Sequence, residues 1–211
     1  MIINMGSIED LRKGYRYSLV ALVFLICMMA LFLIYGFSVV FVYLLIFLGI
    51  ATPTTWGYGL VKRAKAWKSL GQKKTAYSLL GAILVLASSL PIVPWDAFIP
   101  RITLIPSAAW GIYTLLENLG LRQLESSNKT DTKRSRVCSL LGVSVYFTVR
   151  FLGYLLPIYT FLPLNYFMTM ITMGRTSYEF FVPFLFAMPF LIASCVFTII
   201  SLKNLNNLNS P

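Results

Sequence analysis

YSLVALVFLICMMALFLIYGFSVVFVYLLIFLGIATPTTWGYGLV, residues 17–61, runs for 45 residues without a charged side chain. As a single helix it would reach about 68 Å at ~1.5 Å per residue, roughly twice the hydrocarbon core of a bilayer. The run must therefore fold back. Tyr35-Gly36-Phe37-Ser38 is the turn-like break near its middle and divides it into spans at about 17–35 and about 39–60. The apolar stretch also exceeds the ~7–15 residues of a signal-peptide core, so it reads as membrane helix.

The charges on either side extend this reading to the whole chain. Of eighteen Lys and Arg residues, fifteen fall in alternate gaps between apolar runs. Arg12, Lys13 and Arg16 precede the first run. Lys62, Arg63, Lys65, Lys68, Lys73 and Lys74 fill one later gap. Arg122, Lys129, Lys133, Arg134 and Arg136 fill another, and Lys203 follows the last run. Cytoplasmic loops collect Lys and Arg, so the alternation predicts both the number and the direction of crossings. Four further spans follow at about 75–94, 103–119, 137–159 and 180–202, the fourth tolerating Pro106 in its first turn.

The expected fold is all-α: one transmembrane domain over residues 1–211, with six transmembrane helices arranged as three hairpins. Both termini are expected on the cytoplasmic side of the plasma membrane. Tyr17-Ser18-Leu19-Val20-Ala21, Tyr77-Ser78-Leu79-Leu80-Gly81 and Cys138-Ser139-Leu140-Leu141-Gly142 each open an odd-numbered span. A parallel two-helix repeat produces that recurrence, and so does chance among Leu-rich spans.

Composition agrees. The chain is 58% hydrophobic and 12% charged, against about 45–50% and about 25% in soluble domains. Its mean hydropathy is +0.76. A net charge of +11 on a soluble surface would suggest nucleic acid. Here the charges flank spans, which favours anionic lipid headgroups as their partners and disfavours nucleic acid.

Absences narrow the chemistry. The chain has no histidine, which removes imidazole metal ligation and His general-base catalysis from its own side chains. Cys27, Cys138 and Cys195 stand singly, and read as reduced residues packed as small apolar groups. The carboxylates Glu9, Asp10, Asp96, Glu117, Glu125, Asp131 and Glu179 lie outside the spans or near their ends, without cluster spacing. No phosphate-binding, nucleophile-elbow or dinucleotide fingerprint occurs. We expect no catalytic, cofactor or metal-binding residue and no enzyme activity from the chain alone.

Four features remain as candidates. Arg150 is the charge deep inside a span, on a face with Tyr146 and Tyr154, and Asp96 and Glu179 at the outer span ends are its available counter-charges. It reads either as a structural ion pair or as a contact for a substrate headgroup. Thr52-Pro53-Thr54-Thr55, with Gly57, suggests a helix break of the kind that exposes backbone to a transported solute. Alternatively Gly49, Pro53 and Gly57, four residues apart, make a smooth packing groove. Met168, Met170 and Met173 read as adaptable packing in an outer segment, or as soft ligands for Cu(I). Val61 to Lys74 reads as a cationic interfacial segment anchored by Trp67 and Leu70, with Lys62, Arg63, Lys65, Lys68, Lys73 and Lys74 forming an anionic-lipid surface.

The functional expectation is a non-catalytic accessory or scaffold subunit of a larger membrane complex, held to other integral subunits by aromatic outer residues. Phe147, Phe151, Tyr159, Phe161, Tyr166, Phe167 and Met170 are the candidate contacts. The alternative is a small solute or ion transporter or channel using Arg150 and the 51–59 break.

Overall fold

In a computed structural model, the described residues are 5–34, 39–88, 104–124, 129–155 and 175–208, and they form six α-helices with no strand among them. These are α1 (Met5–Ile34), α2 (Val39–Ser69), α3 (Lys73–Ser88), α4 (Leu104–Leu124), α5 (Lys129–Leu155) and α6 (Arg175–Leu208). Each helix coincides with one expected span over the described residues, while 35, 89–94, 103 and 156–159 of those spans lie outside them. Two segments among the described residues, Asp131–Leu152 and Pro183–Leu205, are long and apolar enough by length and composition to cross a membrane.

The helices overrun the expected spans at their basic ends. Residues 61–74, expected as a surface loop, are mostly helix: α2 continues to Ser69 and α3 starts at Lys73. Lys, Arg, Ala and Leu dominate this stretch, and all are good helix formers. Reversal is confined to a Schellman turn. The Gln72 amide donates to the Trp67 carbonyl at 2.8 Å, and that of Gly71 donates to Lys68 at 3.1 Å. Gly71 sits at φ +82°, a conformation that only glycine adopts without a Cβ penalty.

Each helix packs on its chain neighbours, and α6 returns to α1, so the principal contacts close a ring of six. The most extensive pairs are α1 with α2 and α5 with α6. At the first crossing, Gly14 and Gly59 meet backbone to backbone. A Cβ at Gly59 would lie 2.9 Å from the Gly14 carbonyl oxygen, and one at Gly14 would lie 2.9 Å from that of Gly59. The second pair is joined by hydroxyls. Thr132 and Ser201 share a 2.6 Å hydrogen bond, Ser135 donates to the Ser194 carbonyl at 3.1 Å, and Ser135 also bonds Thr198. Interhelical hydroxyl bonds of this kind hold helices together where apolar surroundings offer no competing water.

Two expectations for α2 are corrected. Thr52, Pro53, Thr54, Thr55 and Gly57 all lie in continuous helix, so no break interrupts 51–59. Thr52 and Thr54 bond back to the carbonyls of Leu48 and Ile50, both at 2.7 Å. Such bonds keep the hydroxyls within the helix's own ladder, although Pro53 removes one amide. The Gly49–Gly57 stripe is not a packing groove either, since a Cβ at either glycine would meet nothing within 4 Å. The close approach occurs at Gly59, on the neighbouring stripe.

This contrast gives a test. Gly59→Ala forces a methyl against backbone and should destabilise the protein by about 1–3 kcal/mol, the usual range for overpacking. Gly57→Ala enters open space and should be neutral, or stabilising by up to about 1 kcal/mol through helix propensity. Thermal unfolding of the detergent-solubilised variants measures both. Equal melting temperatures for the two would contradict the Gly14–Gly59 crossing.

Candidate functional site

The interior of the ring is polar at one level, and helical spacing puts it there. On α4, Trp110, Tyr113, Thr114, Glu117, Asn118 and Leu121 recur at intervals of three and four, so they share one face. Arg63 and Trp67 are four apart on α2. Tyr15, Ser18 and Leu22 line the facing side of α1, and Ser194 and Cys195 that of α6.

Arg63 and Glu117 are the centre. They are 4% and 5% exposed, and the Arg63 Nη1 donates to Glu117 Oε2 at 2.8 Å. Trp67 Nε1 donates to the other carboxylate oxygen at 3.0 Å. Trp67 reaches that position because residue 120 is glycine: a Cβ there would fall 3.0 Å from the indole ring. The Arg63 guanidinium carbon also lies 4.8 Å from the Tyr15 ring centroid and 5.9 Å from that of Tyr113. Burial works against the Arg63 charge, but Glu117 and the surrounding rings more than compensate, so its pKa ends above the ordinary value. Burial, reinforced by Glu117, likewise raises the Tyr15 phenol and keeps it protonated.

Beside the pair is a cavity of about 60 Å³, reached by Tyr15, Trp56, Arg63, Asn118, Ser139 and Cys195 among others. An aromatic layer bounds it. Phe184 lies 6.1 Å from Trp56, 5.7 Å from Trp110 and 6.3 Å from Tyr146, centroid to centroid. Trp110 and Tyr146 meet edge-on at 4.9 Å. Offset and edge-on pairs of this kind each add about 0.5–1.5 kcal/mol beyond area burial.

Arg150 belongs to the same interior. It is 2% exposed, and its Nη1 donates to the Tyr146 hydroxyl at 3.0 Å. Tyr146 thus joins Arg150 to the aromatic layer. Of the other residues expected near Arg150, Asp96 lies outside the described residues, as do the side chains of Tyr154 and Glu179. Met168, Met170 and Met173 also lie outside them, together with Tyr159, Phe161, Tyr166 and Phe167.

The basic segment divides in two. Lys65, Lys68, Lys73 and Lys74 are exposed, and Lys62 lies 3.5 Å from Asp10. Arg63 corrects the expectation of a surface residue: one helical position inward from Lys62, it turns into the ring to meet Glu117. Trp67 and Leu70 are buried rather than anchored in an interface: α2 packs on α1, and the Trp67 indole lies against Gly120 and Glu117 of α4. Cys27 is exposed, whereas Cys195 is buried at the cavity.

Glu117 went unrecognised in the sequence because it stands near a predicted span end. The available signal was its company: Trp110, Tyr113 and Asn118 give an otherwise apolar helix one polar-aromatic face.

The polar groups at the centre are bonded chiefly to one another and to nearby carbonyls. Both Glu117 oxygens accept bonds, and the hydroxyls of Ser18 and Thr114 are tied to the carbonyls of Gly14 and Trp110 at 3.2 and 2.8 Å. No group of three or more His, Cys, Asp or Glu side chains converges among the described residues.

A buried pair is expensive to break and cheap to replace. Glu117→Ala strands the Arg63 charge and should cost about 3–5 kcal/mol. The double replacement Arg63→Met with Glu117→Leu removes both charges at similar volume and should recover most of that loss. The folded fraction and melting temperature of the purified variants read this directly. A double variant no more stable than Glu117→Ala would show that the two side chains do not depend on each other.

Comparison of the chain with protein-family models, with curated proteins and with solved structures finds no match to any of them.

Proposed function

We propose that the chain is a six-pass integral membrane protein with both termini cytoplasmic, acting without catalysis as an accessory or scaffold subunit of a larger membrane complex. The six-pass reading rests on the outer surface. Large apolar side chains face outward from every helix, among them Val23, Phe47, Leu84, Leu119, Phe151 and Phe186. Proteins surrounded by water rarely expose contiguous apolar patches beyond a few hundred Å². The exposed lysines of residues 62–74 and the charges around residue 131 lie toward the ends of the helices, where headgroups would meet them.

The observation that carries the scaffold reading is the self-sufficiency of the interior. Its central charges are paired at 2.8 Å, its cavity is only about 60 Å³, and aromatic rings pack across the ring of helices. This supports a rigid body whose partners bind its outside, with Phe147 and Phe151 exposed on α5 as contacts. Anionic lipid on the lysine-rich end and other integral subunits on the apolar flank are the proposed partners.

The transporter reading keeps one specific support. The Arg63 cavity and Arg150 lie on either side of the aromatic layer, and Pro183 and Pro189 interrupt the amide ladder of α6 around Phe184. A tilt at those prolines would displace a ring that bounds the cavity.

Native purification in mild detergent separates the readings. The scaffold reading expects a larger integral partner in fixed stoichiometry, and no solute flux from proteoliposomes of the chain alone. Flux that disappears on replacing Arg63, Glu117 or Arg150 would overturn it. Topology is checked by impermeant thiol labelling of intact cells, in a background lacking Cys27, Cys138 and Cys195. Cysteines introduced at Gly71 and Asn128 should resist the reagent, and one at Gly174 should react. Outside labelling of position 71 or 128 would refute the six-pass orientation.

A further inference from the structure

The outward faces of α1 and α2 meet in a seam whose chemistry changes in one direction along its length. On α1, Lys13, Arg16, Tyr17, Val20 and Val23 recur at helical spacing and are all exposed. On α2, Lys65, Tyr58, Thr54, Ile50 and Phe47 do the same. The two stripes adjoin where the Tyr17 and Tyr58 rings meet edge-on, 4.8 Å between centroids. The helices run antiparallel, since Ser69 bonds Ser7 at one end and Gly14 meets Gly59 further along. Cations therefore lie on one side of the tyrosine pair on both helices, and apolar side chains on the other. Thr54 counts with the apolar group because its hydroxyl is turned back to the Ile50 carbonyl.

The carboxylates closest in sequence to these cations are already engaged. Glu9 is held by Arg12 at 2.6 Å, and Asp10 by Lys62 at 3.5 Å. Lys62 also lies over the Tyr58 ring, 5.9 Å from its centroid, which keeps an ammonium beside the tyrosine pair. Lys13, Arg16 and Lys65 thus leave this end of the seam positive.

A partner must suit both ends. Free phosphate or nucleic acid meets the cations but leaves Val20, Val23, Ile50 and Phe47 uncovered, and a plain hydrocarbon does the reverse. An amphiphile with an anionic head covers both, with the tyrosines at the polar boundary where amphipathic rings sit in membranes. The charge-free run of residues 17–61 begins at Tyr17 and ends just past Tyr58, so the pair marks that boundary on both helices.

We infer that the α1–α2 seam is a discrete binding site for one anionic phospholipid of the cytoplasmic leaflet. Its phosphate lies against Lys13 and Arg16, its glycerol and ester oxygens at the Tyr17 and Tyr58 hydroxyls, and an acyl chain along Val20, Val23 and Ile50. This site rests on the membrane reading proposed above and deepens it: to a diffuse attraction at the lysine-rich end it adds one lipid with defined contacts and a headgroup preference.

Native mass spectrometry of the full chain in nonionic detergent tests this, with phosphatidylglycerol and phosphatidylcholine of equal chain length as probes. One phosphatidylglycerol should bind with a preference of about tenfold or more, as expected for two cations beside a phosphate. Lys13→Gln with Arg16→Gln should remove that preference, and Tyr17→Leu with Tyr58→Leu should weaken binding severalfold. Lys73→Gln with Lys74→Gln removes as much charge at the α2–α3 turn and should change nothing. Glycerol 3-phosphate, which has the head without the chains, should not compete. Equal uptake of the two lipids, equal losses from the two charge-removing pairs, or displacement by glycerol 3-phosphate would each overturn the site. Full binding by a folded tyrosine variant would overturn it too. If that variant does not fold, the Lys13 and Arg16 pair decides, since both side chains are exposed. Alkaline carbonate extraction of native membranes checks the underlying reading separately. Release of the chain would overturn the membrane reading and the site together, whereas retention alongside any failure above overturns the site alone.

Discussion

The cost of keeping Arg63 and Glu117 charged inside the protein is the constraint on which the rest of the structure depends. Each ion taken from water loses several kcal/mol of solvation, and only close geometry with full hydrogen bonding restores it. Here the restoration is shared among helices. Glu117 comes from α4, Arg63 and Trp67 from α2, and Tyr15 from α1, so α1, α2 and α4 must hold a fixed relative height. Gly14, Gly59 and Gly120 make this possible, since each removes a methyl group that would keep the helices, or the Trp67 indole, too far apart. The glycine contacts and the ion pair are therefore one device seen from two sides.

The pair also explains why the interior is ordered as it is. A charged centre in a low-dielectric surrounding is stabilised by polarizable rings and excluded water. The Tyr15 and Tyr113 rings flank the guanidinium, and the layer of Trp56, Trp110, Tyr146 and Phe184 follows directly. Arg150 repeats the scheme with Tyr146 as its hydrogen-bond acceptor. Between α5 and α6 the polar contacts are of a different kind, neutral hydroxyls rather than ions, and their role is to join two helices along their length.

Much of the helical layout was legible in the residues. Uncharged runs and the turn residues between them placed the six helices of the described residues in the right order, because a long apolar run needs a helix to satisfy its backbone. Gly71 could have located the α2–α3 reversal, since glycine one position past a helix end is the usual sign of a Schellman turn. The helix break at 51–59 was misjudged because Pro53 and its threonines weaken a helix in isolation. In the folded chain, hydroxyls bonded to Leu48 and Ile50 accommodate them. Arg63 was counted with its neighbours because a linear cluster of Lys and Arg gives no indication of which member turns inward.

By itself, the sequence determined the all-helical class, the order of the six helices among the described residues and the basic segments between apolar runs. These depend on periodicity, run length and charge, which are local quantities. Tertiary structure alone decided that Arg63 meets Glu117 across 54 positions, that Trp67 caps the pair and that Gly59 rather than Gly57 forms the crossing. Those outcomes depend on the rotation of one helix against another. A turn of 100° per residue separates the buried Arg63 from the half-buried Lys62 beside it, and only packing among all the helices selects the angle.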